Sequence, residues 1–407
     1  MTFRPVLTIT AALLLGTAAA LAADLPGQKF DIQVKDLPKP YATPGVGNEP
    51  DVITRPPGVV PKAPPGFKVE IYAAGLTNPR WMVAAPNGDV ILAEPKNGRI
   101  TLLRDVNGKV TATPFADGFK IPHGLALTKD ALYVGDLMGV WRIPYKPGDT
   151  KAGLRTKVTS AKDLSPVGNH VTRDLAIDSR GTIYVGIGSA SNVGEDAPAR
   201  ATVQTIAPGG SLRTFASGLR NPVGMAFYPG TDNLFVTVNE RDGLGDALVP
   251  DYLTHVQRGG FYGWPYSYLG QHPDPDYGSR RPGMVAKAIM PDLLFHAHSA
   301  PLGLVFYEGA QFPAEYKGDA FVALHGSWNS GAPTGYKVVR VRFKDGKPAG
   351  GYENFVTGFW DGASKPGEQA RVWGRPAGLA VAKDGSLLIA DDAGKVVWRV
   401  SYSGGNR

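Results

Sequence analysis

His170 and Arg220 are the two residues whose types and spacing point most directly to chemistry. They lie fifty positions apart and stand just ahead of two copies of one recurring segment, VTRDLAI from Val171 and NPVGMAF from Asn221. Equivalent places in equivalent units aim both side chains at a common centre. Imidazole is the natural general base near neutral pH, and a guanidinium stabilises developing oxyanion charge. Position alone equally allows a His that caps a loop and an Arg that ties neighbouring units together. A second candidate is the stretch ERDGLGDALVPD from Glu240, in which Glu240, Asp242, Asp246 and Asp251 lie among glycines able to turn backbone carbonyls inward. That mixture suits a hard cation such as Ca²⁺, although the spacing is not that of an EF-hand. A solvated acidic loop is the other reading. His123, His255, His272 and His296 read as structural or surface residues, and His298 stays open. HExxH, GxSxG and P-loop patterns are missing from any plausible place.

The positioning elements follow from the recurring segment. Its six copies are NPRWMVA from Asn78, IPHGLAL from Ile121, VTRDLAI from Val171, NPVGMAF from Asn221, APLGLVF from Ala300 and RPAGLAV from Arg375. The fourth positions, Trp81, Gly124, Asp174, Gly224, Gly303 and Gly378, are 43, 50, 50, 79 and 75 residues apart. Each copy runs through a turn into a second apolar stretch, such as KDALYVGD or GTDNLFVTV. Units of this length with several short strands predict an all-β, six-bladed β-propeller. A sandwich built from the same segments would have no reason to repeat a blade-opening motif. The stretch FKVEIYAAGL from Phe67 looks like an outer strand with no blade before it. It is therefore expected to complete the last blade beside KVVWRVSY and lock the ring.

In such a blade the first and second strands are antiparallel, so the start of one and the end of the other share a face. One face then receives Thr77, Lys120, His170, Arg220, Ser299 and Gly374 from the starts. From the ends come Glu94, Asp136, Ser189, Asn239 with Glu240, His325, and Asp391 with Asp392. A channel mouth ringed by ionisable groups is where a propeller would hold a ligand.

Composition narrows the rest. Among 407 residues, 52 Gly and 35 Pro argue against a helical bundle, and 43% hydrophobic residues argue against wholesale disorder. The net charge of +7 is spread without a long Lys/Arg run, so no nucleic-acid partner is expected. Residues 1–22 read as a signal peptide ending in the small-x-small triplet Ala20-Leu21-Ala22, which implies a periplasmic or secreted protein. No later segment is long and apolar enough for stable membrane insertion. The Pro-rich residues 23–64 are expected to wrap the surface as an extended arm without chemistry, and 65–407 to form the catalytic propeller. With no Cys, the chain has neither disulfides nor thiolate ligands.

Through GLRNPVGMAFYP, NERDG and GGFYGWP, the chain resembles the glucose/sorbosone dehydrogenase family of quinoprotein propellers, closest to its sorbosone dehydrogenase-like branch. The likeness extends over about residues 65–402. It implies a six-bladed propeller that binds pyrroloquinoline quinone (PQQ) and calcium over the channel mouth and oxidises sugars or sugar-derived aldehydes. By this resemblance His170 is the base that takes the substrate hydroxyl proton while hydride passes to the quinone, and Arg220 contacts the quinone oxygens. Asn221 belongs to the same cluster, His325 and Arg375 fall near cofactor-contacting positions, and Glu240, Asp242, Gly243 and Asp251 fall in the calcium loop. Lys120 in the mouth set, with Trp328 and Trp373 as flat walls, completes a plausible environment for a planar tricarboxylate. Electrons would leave to an external acceptor such as a c-type cytochrome. The rival readings are a metal-dependent lactonase-like hydrolase on the same fold and a binding propeller without catalysis.

Overall fold

A computed structural model describes residues 24–160, 164, 168–362 and 367–404; the proposed signal segment lies outside them. The second strands of the repeats set the architecture. Val90–Glu94, Ile183–Ile187, Leu234–Val238, Ala320–Leu324 and Leu387–Asp391 are buried along their whole length. They do not alternate apolar with polar residues because each sheet is covered on both faces by its neighbours. Six such sheets form the six blades of a β-propeller. Blade one contains Trp81–Ala84, Val90–Glu94, Arg99–Val106 and Lys109–Ala116 in spatial order, and the next four blades repeat this up-and-down arrangement. Blade six contains Pro376–Val381, Leu387–Asp391, Val396–Tyr402 and finally Phe67–Ala73. This last strand pairs antiparallel with the C-terminal one, with Tyr402 opposite Phe67, so the ring is locked as the sequence suggests. Phe67 meets Phe312, Tyr316, Phe355 and Tyr402 edge-on at 4.8–5.3 Å between centroids. Edge-to-face pairs of this kind add about 0.5–1.5 kcal/mol each beyond their burial.

The motif's glycines have a steric cause. A Cβ on Gly124, Gly224, Gly303 or Gly378 would lie 2.0–2.3 Å from a backbone carbonyl oxygen in or just ahead of the next blade's inner strand, namely Arg173, Leu302, Ala377 and Arg80 in turn. Two blades replace the glycine. The Trp81 ring packs on His123 of blade two at 4.4 Å. The carboxylate of Asp174 accepts the Met225 N–H of blade four at 2.9 Å.

The N-terminal arm does more than wrap the surface. Lys29–Phe30 adds a short strand to the outer edge of blade five, and Asp51–Val52 pairs parallel with Arg371–Val372. Between them the arm crosses the mouth loops. Tyr41 N–H donates to Leu244 O (2.7 Å), Thr43 Oγ1 accepts from Asp246 N–H (2.8 Å), and buried Asn48 donates to Ser330 O (2.9 Å) and Glu368 O (3.1 Å).

Gly224→Ala and Gly303→Ala are each expected to destabilise the protein by about 1–3 kcal/mol through overpacking at the axis. Gly153→Ala, whose added methyl meets nothing within 4 Å, should leave the urea midpoint nearly unchanged. Equal midpoints for all three variants would contradict this account of the ring.

Candidate active site

Not every ionisable residue of the mouth set faces the channel. Glu94, Asp136 and Asp391 end their second strands by turning back onto backbone amides, accepting from Thr77 N–H (2.7 Å), Lys120 N–H (2.9 Å) and Arg375 N–H (2.7 Å). They anchor the loops and do not line the mouth cavity. Lys120 does not enter it either: Asp136 holds its backbone while its side chain is exposed. Trp373 is buried against Phe359 and Trp398 and offers no wall.

The remaining groups do converge. A cavity of about 450 Å³ at the mouth is lined by His170, Arg220, Asn221, His325, Trp328 and Arg375, and by Glu240, Asp242 and Asp251. His170 Nδ1 lies 2.9 Å from Ser189 O and 3.0 Å from Ser189 Oγ. Donation to the carbonyl puts the proton on Nδ1 and leaves Nε2 as a free acceptor. Burial, reinforced by the Arg220 charge, pulls the imidazole pKa down to about 3, so the ring is neutral and able to accept a proton.

Arg220 is both a tie and a ligand candidate. Its Nε donates to Asn192 O (2.8 Å), Nη1 to Asn239 O (3.2 Å) and Glu240 O (2.7 Å), and Nη2 to Asn192 Oδ1 (2.9 Å). Four of the five N–H groups of a guanidinium are thus engaged, and one on Nη2 remains. Asp242 Oδ2 lies 3.6 Å from Nη2, beyond hydrogen-bond reach. Beside Arg220, Asn221 Oδ1 is buried without a hydrogen-bond partner, as is Thr172 Oγ1. A Cβ on Gly188 would stand 2.4 Å from that Asn221 oxygen and 2.6 Å from His170 Cβ, so only glycine lets the two side chains pack this closely.

On the opposite wall Arg375 donates to His325 O (3.1 Å) and Gly326 O (2.8 Å). His325 Nε2 lies 3.0 Å from Asp392 Oδ1, and Arg80 reaches Asp392 Oδ2 at 2.6 Å. Burial and Arg375 lower the His325 pKa to about 4, so the neutral ring donates its Nε2 proton to Asp392. Although burial opposes ionisation of Asp392, His325 and Arg80 outweigh it and keep the carboxyl charged. Trp328 is half exposed and presents a flat face at the rim.

The acidic loop is already occupied by protein partners. Asp251 accepts Glu240 N–H and Ala300 N–H, both at 2.8 Å. Burial raises Asp251 and Glu240 to about 7 each. Asp242 accepts from Asn329 Nδ2 at 2.6 Å and lies 3.3 Å from His298 Nδ1. Burial works against both charges of that pair, but their contact lowers the Asp242 pKa and raises that of His298. Gly243 does not line the cavity, and the arm's Gly45 packs beside it. No three His, Cys, Asp or Glu side chains gather as a metal cage among the described residues. The set Glu240, Asp242, Gly243 and Asp251 therefore does not by itself form a calcium cage, because backbone amides, His298 and Asn329 hold four of its six carboxylate oxygens and Arg220 holds the Glu240 carbonyl.

The sequence alone does not single out Arg80, Asn192 or Asn329, leaves His298 open and gives His123 as a structural or surface residue. One signal was available. The third motif position reads Arg80, His123 and Arg173 in blades one to three but Val223, Leu302 and Ala377 in blades four to six, which marks one half of the axis as polar.

Six blades around a polar pit, with three imidazoles, three guanidinium groups and orphaned acceptors on its wall, define a propeller with a ligand site at its channel mouth. The chain belongs to the TrAA12-like family, whose model matches residues 61–250 and 284–403. Among sequence relatives, an uncharacterized protein of Borreliella burgdorferi is 29% identical over 84% of this chain and 90% of its own length. A pyrroloquinoline quinone-dependent pyranose dehydrogenase of Coprinopsis cinerea is 26% identical over 81% of this chain and 53% of its own, so the chain spans about half that enzyme. Among solved structures, the holo form of the pyranose dehydrogenase PQQ domain from Coprinopsis cinerea superposes with a TM-score of 0.70 at 22% identity, covering 86% of this chain and 98% of that one. A calcium structure of the Trichoderma reesei carbohydrate-active enzyme of family AA12 gives 0.69 at 21% identity, covering 87% and 99%. These two structures share the fold. The family resemblance read from the sequence stands, while none of these four relatives is named as a sorbosone dehydrogenase.

Two expectations follow from the electrostatics. The folded pKa of His170 lies below its unfolded value, so the unfolded state binds the extra proton between about pH 6.5 and pH 3. Stability from this group is complete above that window and is lost as pH falls through it. In His170→Gln, urea unfolding should show a shallower loss below pH 6, by up to about 1.4 kcal/mol per pH unit; an unchanged slope would place the imidazole in water. Millimolar Ca²⁺ alone should move the thermal midpoint by less than roughly 1 °C, and a large upward shift would reveal a preformed cation site.

Proposed function

We propose that the protein is a PQQ-dependent oxidoreductase that oxidises a sugar or sugar-derived aldehyde, exported by segment 1–22 and passing electrons to a separate acceptor such as a c-type cytochrome. One observation carries the reading: a neutral imidazole with a free Nε2 shares a cavity of about 450 Å³ with Arg220, Arg375 and the partnerless Asn221 oxygen. The family and the pyranose dehydrogenase relative support it.

The residues fit a flat tricarboxylate. The remaining Nη2 proton of Arg220 and the uncommitted N–H groups of Arg375 would hold carboxylate or quinone oxygens, and the rim indole of Trp328 offers a flat surface. When bound, the quinone supplies a two-electron acceptor for the hydrogen on the substrate carbon. His170 Nε2 takes the hydroxyl proton, with Ser189 fixing the ring through Nδ1. The Arg220 charge depresses the basicity of His170, so an anionic guest against Arg220 makes the imidazole a stronger base as the site fills. Calcium enters this proposal only together with the quinone, whose carboxylates would add the donors that loop 240–251 has already committed. A lactonase-like hydrolase needs three or four side-chain ligands on the axis, a set not gathered among the described residues.

Titration of the purified protein with PQQ, with and without Ca²⁺, should shift the quinone absorbance, and dye reduction should follow with some member of a sugar panel. His170→Ala should lower kcat by at least about 100-fold while changing PQQ affinity little. Arg220→Ala should weaken both turnover and PQQ binding. Absence of any absorbance shift would defeat the cofactor assignment; full turnover in His170→Ala would defeat the base.

A further inference from the structure

Next to the mouth cavity lies a second compartment of about 800 Å³. Arg80, Val171, Thr172 and Arg375 line both, so a guest whose reacting end reaches His170 can extend into it. Its rim comes from distant parts of the chain: Lys96 follows the second strand of blade one, Lys395 follows that of blade six, and Val52 belongs to the arm. Lys96 and Lys395 are exposed, and neither forms an ion pair among the described residues. The one carboxylate on the wall, Asp392, is already held by Arg80 and His325. The compartment therefore carries uncompensated positive charge at its rim.

The inner end differs in character. His123 is 1% exposed and packs on Trp81, and neither of its ring nitrogens has a partner. Burial, with Arg80 and Arg173 nearby, keeps the ring neutral, so it offers one donor and one acceptor. Thr172 adds a hydroxyl that is likewise buried and unpartnered. Paired donors and acceptors match alcohol groups, and cations at the rim match a carboxylate.

We propose that this compartment is a substrate subsite for an anionic carbohydrate, a uronic or aldonic acid, with hydroxyls against His123 and Thr172 and the carboxylate toward Lys96 and Lys395. The proposal rests on the mouth being a sugar-oxidising site and adds the class of sugar. The oxidation is unchanged, since the carboxylate is bound away from the reacting carbon.

The test compares glucuronate with glucose and galacturonate with galactose on PQQ-loaded protein, alongside calorimetric titration with glucuronate. Uronates should show at least a tenfold higher kcat/KM at low salt, with the advantage shrinking as ionic strength rises. In Lys96→Gln/Lys395→Gln the uronate-to-neutral ratio should fall at least tenfold, mainly through KM, while PQQ affinity from the spectral titration stays within twofold. Thr172→Ala should weaken glucuronate binding without abolishing it. Equal use of charged and neutral sugars, or a ratio indifferent to the double substitution, overturns the proposal. Weakened PQQ binding with unaltered uronate binding overturns it too, because the lysines would then serve the cofactor. If PQQ fails to bind at all, the oxidoreductase reading falls separately. Calorimetry then decides the subsite, which stands if glucuronate binds and the double variant loses it, and falls if glucuronate does not bind.

Discussion

Each inner strand lies against the next blade's inner strand so closely that in four of the six contacts a single Cβ cannot be accommodated. Everything at the mouth depends on that approach. If the inner strands stood farther apart, His170, Arg220 and Arg375, supplied by three blades, would border an open pore. At the observed separation they line one cavity of about 450 Å³. The two exceptions hold the ring by other means, a tilted ring contact at Trp81 and a bond from a backbone amide to the Asp174 carboxyl group. Burial drives Asp174 well above the ordinary carboxylate range, so ionisation is opposed where this residue substitutes for glycine at the axis.

Burying cations beside this axis costs desolvation, and the structure offsets it with backbone carbonyls. Arg220 gathers the carbonyls of Asn192, Asn239 and Glu240, and Arg375 those of His325 and Gly326. The same bonds that make burial tolerable hold each guanidinium rigidly, so little reorganisation is needed when an anion arrives. They also engage the carbonyls that a bare cation would want. A tie between blades and a ligand contact are thus two uses of one side chain.

The arm follows the same economy at a larger scale. Its hydrogen bonds reach both the 244–246 loop and the 328–331 loop, and Gly331 N–H joins those loops directly through Asp246 (2.7 Å). A Pro-rich segment loses little conformational freedom on docking, which suits it to bracing loops that carry Trp328, Asn329 and Asp242.

The six-fold plan, the closing strand and the His170–Arg220 pair were legible in the sequence because each blade repeats the same contact, and a repeated steric demand leaves a repeated residue. Which mouth residues face the cavity was not legible. Asp391 and Asp392 are adjacent, yet one caps a backbone amide while the other joins Arg80 and His325. Lys120 leaves the mouth while His123, three residues on, lines the second compartment. The occupation of both Asp251 oxygens by the amides of Glu240 and Ala300 likewise depends on a neighbouring strand and on the opening of the next blade. Spacing along a chain records what every blade must share. The direction of one polar side chain is decided by partners from other blades, and those partners exist only once the circle has closed.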